Sequence, residues 1–409
     1  MVQGTLCERF AVADVDSHII EPADLWTSRL PTSKWGDLVP HVRFHERRQE
    51  DYWYVGDRKL YGVGAFAQAR WPEFPPSHPK RLDDAFGAAV DAKQRLAYND
   101  EVGVYYQVLY PNILGFHSHV FLNQMPPELA TDCVRAYNDW LVEWCSADAR
   151  RLVPMMMLPF WDIDASVAEM RRAFELGHKG VLFAARYDKV GLPRLVDDHW
   201  EPLLGQAQEM GLSMNFHVGF LASPDDLKGA VDQSKKLDFT RESALVLLGN
   251  AQNVAEVILS GVCHRYPDLK FVSVENGAGW LPFLAESMDW QWLNVGAHKD
   301  YPDRLLPSEY MKRQIYGMYW FEHDSVRAVI DQLADNLMFE TDFPHATSLS
   351  PGPASESPSP RDVIERSLAG LPDEVVGKVL QHTATELYAL EAPRARVNLA
   401  GEGSRPGEV

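Results

Sequence analysis

FAVADVDSHIIE, Phe10–Glu21, is the stretch on which the fold is read. Phe10–His18 has the apolar, β-branched character of a strand buried on both faces. It closes on ionisable groups, Asp16 and His18, with Glu21 just beyond. Asp16 and His18 are two apart, so they point to the same side of the strand and can share one metal ion. Side chains at the carboxyl ends of parallel strands are where a (β/α)8 barrel assembles its chemistry.

Seven more runs of the same kind follow: Val104–Pro111, Leu152–Pro159, Gly180–Ala185, Leu212–Gly219, Lys270–Asn276, Ile315–Phe321 and Leu337–Pro344. Between them lie stretches with apolar residues three and four apart, which predict helices over Ala88–Asp100, Pro126–Ala147, Asp164–Leu176, Trp200–Met210, Asn253–Arg265, Trp280–Trp290 and Ser325–Ala334. Asp164 is a suitable N-cap for its helix. Apolar strands each followed by a helix imply a parallel sheet covered by helices. Eight such units favour closure into an α/β TIM barrel, and no glycine-rich phosphate fingerprint follows the first strand.

The regularity breaks between the first strand and Ala88, where about seventy residues intervene, far beyond an ordinary βα connection. They include WYVGDRKLYGVG, Trp53–Gly64, which has the pattern of a β-hairpin. Residues 27–87 are therefore read as an inserted lid or dimer contact within a single barrel domain, 1–392. A second long loop, Gly219–Arg241, follows the fifth strand. Residues 393–409, rich in Gly, Pro, Arg and Glu, are expected to be a disordered tail.

The 409 residues carry a formal charge of −19, with 46% hydrophobic and 24% charged residues. That acidic balance argues against nucleic acid or an anionic membrane as partner, since both require basic patches. Four cysteines without C-x-x-C spacing give neither a zinc knuckle nor a disulfide framework. No leading apolar signal and no span-length apolar run is present, so a cytoplasmic location is expected.

Four strand ends carry ionisable groups: Asp16, His18 and Glu21 after the first, His217 after the fifth, Glu275 after the sixth, Asp342 and His345 after the eighth. Any one of these has an ordinary explanation as a core histidine or a helix cap. Their coincidence at one rim does not, because burying so many carboxylates without a cation is very costly. Oxygen-rich ligation with some imidazole suits iron, zinc or manganese, as one or two ions, and disfavours copper(I). Tyr110, Trp280, Phe283, Trp320 and Phe343 are candidate walls of an apolar substrate pocket. His119, in the H-S-H stretch His117–His119, is a further candidate for touching substrate. No G-x-S-x-G elbow is present, which disfavours covalent serine catalysis.

DVDSHIIEPADLW (Asp14–Trp26), AYNDWLVEWC (Ala136–Cys145), FHVG (Phe216–Gly219), GVCHRYPDLKFVSVENGAGWLPFLAESMD (Gly261–Asp289) and ETDFPHA (Glu340–Ala346) together resemble the amidohydrolase-related family, in its aminocarboxymuconate-semialdehyde decarboxylase-like branch. The resemblance runs from about Phe10 to about Leu390, and implies a (β/α)8 barrel, a divalent metal and a homodimer. By position, Asp16 and His18 replace the family's strand-1 His-x-His or Glu-x-His pair, His217 matches the strand-5 ligand, and Asp342 the strand-8 aspartate. Glu275 stands where the decarboxylases usually have a histidine, so their acid/base group does not carry over. Lys179 sits at the wrong end of its strand to supply the carbamate bridge of two-metal amidohydrolases.

Two activities follow as expectations. The first is a metal-dependent hydrolase or carboxy-lyase acting on a small or medium organic acid or carbonyl compound, with Glu275, Asp342 and His345 as catalytic groups. The second is a non-heme iron or di-iron oxygenase hydroxylating a large apolar substrate. A non-catalytic binding barrel ranks behind both.

Overall fold

The computed structural model describes residues 4–75, 77–116, 118–220 and 235–393, the side chain of His119 excepted. All eight expected strands form: β1 (Val12–His18), β5 (Val104–Tyr110), β6 (Leu152–Met156), β7 (Gly180–Phe183), β8 (Ser213–His217), β9 (Phe271–Val274), β10 (Ile315–Tyr319) and β11 (Leu337–Phe339). They close in the order β1-β11-β10-β9-β8-β7-β6-β5, every pairing parallel. Every residue of β1 is buried, as its apolar reading requires. The seam between β1 and β11 is thinly laddered: Asp14 pairs with Phe339, and one further bridge joins Ser17 to Phe343. Beyond β11 the seam continues through the His18 amide donating to the Phe343 carbonyl at 2.7 Å and the Asp342 amide to the Asp16 carbonyl at 2.9 Å. The Asp14 side chain reinforces it by accepting from Thr341.

The helices follow the periodicity with physical corrections. The helix Ile163–Leu176 is capped by Asp162, whose carboxylate accepts from the Ala165 amide at 2.9 Å, and not by Asp164, which lies in its first turn. The stretch Asn253–Arg265 is two helices, Asn250–Leu259 and Val262–Arg265, divided at Gly261 with φ +86°. Ala88–Asp100 likewise divides into Gly87–Val90 and Ala92–Val102, the second capped by Asp91. Periodicity alone does not see a break that preserves the apolar stripe.

Within residues 27–87 the hairpin is present as β3 (Glu50–Val55) and β4 (Arg58–Gly62), and β2 (His41–His45) adds a third antiparallel strand. This sheet is tied down by the buried Glu50 carboxylate, which receives His78 at 2.6 Å, Lys80 at 3.2 Å and the Tyr52 hydroxyl at 3.1 Å. The chain after Gly62 then runs across the barrel mouth. In the second long loop, 221–234 lies outside the described residues, and a helix at Lys236–Val246 follows. The expected tail also falls outside them beyond residue 393. Among the described residues, no helix is long and apolar enough to cross a membrane.

Candidate metal centre

The ends of β1, β8, β9 and β11 meet at the barrel mouth. His18 Nε2 and His217 Nε2 lie 3.0 Å apart. Asp16 Oδ1 is 3.7 Å from the first and 3.5 Å from the second. Glu275 Oε2 is 3.5 Å from His217 Nε2, and Asp342 Oδ1 is 3.7 Å from His18 Nε2. Ligand atoms fall into two overlapping groups, Asp16–His18–His217–Glu275 and His18–Glu275–Asp342–His345, each spanning no more than 4.8 Å.

Backbone geometry aims these groups. Glu275 directly follows β9, Asp342 lies three residues past β11, and both have φ +57°, in the left-handed region that non-glycine residues occupy at a cost of about 1–3 kcal/mol. His217 Nδ1 donates to the Val218 carbonyl at 2.7 Å, which leaves the Nε2 lone pair for the centre. Asn112 does the same for His345: its amide nitrogen donates to the Ile19 carbonyl, so its Oδ1 must accept from His345 Nε2 at 2.8 Å. The Nδ1 lone pair of His345 then faces Asp342 Oδ1 at 2.9 Å. Burial drives the His345 ring down to about 3, so a second ring proton does not fill that contact. A cation, or a proton on Asp342, belongs between them.

Hydrogen-bond accounting tests whether a metal fits. Both oxygens of Asp16, both of Asp342, Glu275 Oε2 and Glu340 Oε1 are buried and receive no hydrogen bond. Burial, reinforced by neighbouring carboxylates, pushes Glu275, Glu340 and Asp342 well above the usual carboxylate range. For His217, burial pulls downward but Asp16 and Glu275 outweigh it and raise the ring to about 9. Without a cation this cluster collects protons, the response of a site with uncompensated negative charge. Two imidazole nitrogens beside unsatisfied carboxylate oxygens are the donor set of a divalent ion such as iron, manganese or zinc.

Glu340 was not among the sequence-derived candidates. It lies one residue past β11, its Oε2 accepting the Glu275 amide at 3.1 Å, and so supports Glu275 from below. Its signal was present as the first letter of the E-T-D-F-P-H stretch, but Asp342 drew the reading. Asn112 was missed because a lone Asn after a strand carries no signature.

Other candidates take different places. Glu21 stays outside both ligand groups: its Oε1 accepts the Asn112 and Ile113 amides, each at 2.9 Å, so it anchors the loop after β5. Tyr110 is buried beneath the site, 5.3 Å from the His217 ring. Phe343 packs on Tyr98 at 4.6 Å and under the Arg95 guanidinium at 4.4 Å, turned away from the mouth. Trp280 donates to the Asn276 carbonyl at 2.9 Å at the start of its helix. Phe283 is exposed and Trp320 buried in the core. His117 and the His119 side chain lie outside the described residues.

The mouth itself is a cavity of about 290 Å³ with Glu275, Asp342 and His345 at its base. Its walls are aromatic and aliphatic: Tyr61 and Phe66 from the insertion, Phe116 from the loop after β5, Phe239 and Val246 from the helix Lys236–Val246. Phe66 stacks on Phe116 at 4.9 Å and approaches the His345 ring at 5.5 Å. The walls were misassigned from sequence because they come from connections, whereas the reading took aromatics adjacent to strands.

A closed parallel barrel with this rim defines a metal-dependent barrel enzyme. Residues 42–390 match the protein family described as amidohydrolase, and the chain belongs to that family, as a metal-dependent enzyme of the hydrolase or carboxy-lyase kind. An amidohydrolase from Mycobacterium avium subsp. paratuberculosis K-10 superposes with TM-score 0.71 at 22% identity, over 93% of this chain and 99% of that one. The 5-carboxyvanillate decarboxylase LigW from Sphingomonas paucimobilis gives TM-score 0.63 at 18% identity, over 93% and 100%. A dihydroxybenzoic acid decarboxylase from Polaromonas sp. JS666, with bound manganese and the inhibitor 2-nitroresorcinol, gives 0.56 at 17%, over 93% and 97%. At these identities the likeness establishes the fold. No curated protein sequence matches the chain.

Proposed function

We propose that Asp16, His18, His217 and Glu275 hold a divalent ion, and that Asp342 and His345 flank the reacting atoms in hydrolysis or decarboxylation of a small to medium carbonyl or carboxyl compound. The observation that carries this is the set of unsatisfied carboxylate oxygens and inward-facing imidazoles at the floor of an apolar cavity. When bound, the ion supplies Lewis acidity toward a carbonyl or carboxyl oxygen and lowers the pKa of water. Phe66, Phe116 and Val246 enclose the organic part of the substrate and thin the water around it. Asp342, pinned by its backbone, accepts a proton from the attacking water or returns one to carbon. His345, held by Asn112, keeps the opposite side of Asp342 occupied. Residues 27–87 act as the lid that contributes Tyr61 and Phe66.

Glu275 at the place of a histidine bears on the choice between the two reactions. A carboxylate there adds negative charge beside an incoming carboxylate, which favours neutral carbonyl substrates such as lactones and esters over carboxylated aromatics. One specific observation supports a second reading, a two-ion iron oxygenase. The two ligand groups share His18 and Glu275 but are otherwise separate, so Asp16 and His217 would hold one ion and Asp342 and His345 a second, and the pair would supply oxygen-activating chemistry.

Metal analysis of protein purified without added metal separates these readings. About one zinc or manganese per chain, with turnover of aryl lactones or release of carbon dioxide from carboxylated phenols, supports the first. Near two irons per chain with oxygen consumption replaces it by the second. A protein that takes up no divalent ion on reconstitution overturns both.

The helix Leu281–Asn294 exposes Phe283 (75%) and Trp290 (69%), with Val295 (70%) just after it. Such an apolar face supports a homodimer through this helix, measurable by sedimentation. The four cysteines are buried and form no disulfide with one another, which accords with a cytoplasmic setting.

A further inference from the structure

A second cavity, of about 310 Å³, lies beside the mouth and shares with it Val218, Gly219 and Val246. The two differ in charge. Among the described residues the mouth is lined by no lysine or arginine, and its base is acidic. The neighbouring cavity is lined by Arg186 and Lys189, with the amides of Gln252 and Asn253, and reaches His217 on its inner side. Arg186 is gripped by Asp188 through two contacts of 2.9 Å, with its third nitrogen turned to Gln252 at 3.5 Å. Arg194 beyond it is spoken for by Glu256 at 3.1 Å. The Lys189 side chain is exposed and, among the described residues, makes no hydrogen bond or ion pair, so it is the surplus cation described in the pair of cavities.

In a chain of net charge −19, a free cation beside a fixed guanidinium at the rim of an acidic site is a local reversal of sign. An anionic group on a substrate is repelled by the carboxylates at the floor, and among the described residues the basic place within reach lies across the Val218–Gly219 rim. We infer that this second cavity is an anion subsite, centred on Lys189 with Arg186 as its rigid neighbour. It takes the carboxylate, sulfonate or phosphate end of a substrate whose apolar body lies in the mouth. This extends the proposed function by naming a substrate class, an apolar compound with an anionic arm, and rests on that reading for placing the body over the metal centre.

Calorimetric titration of the full chain with octanesulfonate and with octanol tests it, in metal-loaded and chelator-treated protein. The sulfonate, a poor metal ligand, is expected to bind roughly three- to tenfold more tightly than the alcohol in both states. Lys189→Ala is expected to bring the advantage below about twofold, and Lys189→Glu to reverse it. Lys189 is exposed, so neither change threatens folding. Equal binding of the two probes to the native chain, or an advantage untouched by Lys189→Glu, overturns the inference. An advantage that vanishes on chelation and ignores Lys189 places the anion on the metal, which overturns the subsite while leaving the proposed function standing. A Lys189-dependent advantage in a chain that binds no metal at all supports the subsite and overturns the function.

Discussion

Asp14 and Asp16 lie two residues apart on β1, both fully buried, and the chain treats them in opposite ways. Asp14 is surrounded by donors: Gln107 Nε2 at 2.9 Å, the Thr341 amide at 2.8 Å, and the Thr341 and Ser17 hydroxyls at 2.7 and 3.2 Å. Gln107 is in turn held by Arg95, whose guanidinium also reaches the His18 carbonyl at 2.8 Å. This network ties β1 to the Thr341 backbone where the barrel ladder is thin. Asp16 has no such donors on either oxygen. One carboxylate is used by the fold, and the other is left for something the chain does not itself contain. The difference lies in the partners, since burial and residue type are the same.

The sharpest way to break this comparison is to neutralise a carboxylate in each region. Asp342→Asn keeps a residue that tolerates positive φ, yet should lower turnover by at least about a thousandfold and weaken metal retention roughly 10–100-fold. In chelator-treated protein the same change relieves like-charge crowding and should leave the chain equally stable or more stable by about 1–3 kcal/mol. Asp14→Asn should instead cost about 2–4 kcal/mol with or without metal, because an amide NH2 there meets a donor whichever way it is turned. Elemental analysis and denaturant melts of both forms check the pair. Matching losses for the two variants in the absence of metal would erase the distinction.

Arg95→Met probes the link between the regions. It removes hydrogen bonds to Ala88, Gln107 and His18 from a fully buried position. A destabilisation of about 3 kcal/mol is expected, with the Ala88 and His18 carbonyls and Gln107 Oε1 each losing a donor. Because the His18 backbone loses its tether, metal affinity should fall as well, by about tenfold. A loss of stability with unchanged metal affinity would make the Arg95 network purely structural.

How far the two regions were legible beforehand follows from the same chemistry. The eight strands stood out as apolar runs, four of them closing on ionisable groups, and Asp16, His18, His217, Glu275 and Asp342 fell at those ends. Glu21 matched the same pattern and yet serves backbone amides, because an acid beyond a strand end looks identical in sequence whether it meets a metal or a loop. Glu340 and Asn112 act on Glu275 and His345 through contacts between distant segments, which no spacing encodes. Strand β2, HVRFH, escaped notice because a strand of half-buried residues lacks both an apolar run and clean alternation. The aromatic walls were placed on Phe343 and Trp280, whereas the insertion, the loop after β5 and the helix Lys236–Val246 line the cavity.

A buried titratable group remote from both regions calibrates the pH response. Burial pulls His178 down from 6.5 to about 4, although its Nε2 lies 3.1 Å from the Asn138 carbonyl. Its folded value is below its unfolded one, so the unfolded chain binds the extra proton between those values. Stability is therefore complete above about pH 6.5 and declines as pH falls toward about 4, by about 3 kcal/mol in total. Denaturant melts across that window should show the slope, and His178→Gln should flatten it. Acid sensitivity that persists in the variant would have to come from the carboxylate regions, and chelation would then tell Asp14 from the metal centre.

The smallest effect is expected in the inserted sheet β2–β4, where Glu50 is buried nearer the surface than Asp14 and is paired with cations. Burial works to raise its carboxyl, but His78 and Lys80 prevail and hold it below the usual value. A depressed carboxylate contributes stability that is present above its unfolded pKa and is lost as pH falls through the folded one. Glu50→Gln keeps the shape while removing the charge, and Lys80 is half exposed, so the cost should be only about 1–2 kcal/mol. Because the same sheet leads to Tyr61 and Phe66, the substitution should raise KM severalfold while leaving metal content and kcat near native values. Proteolysis within residues 27–87 gives an independent reading of how firmly the insertion is held. A fall in kcat with unchanged KM would instead place the inserted sheet among the supports of the metal centre, alongside Asp14.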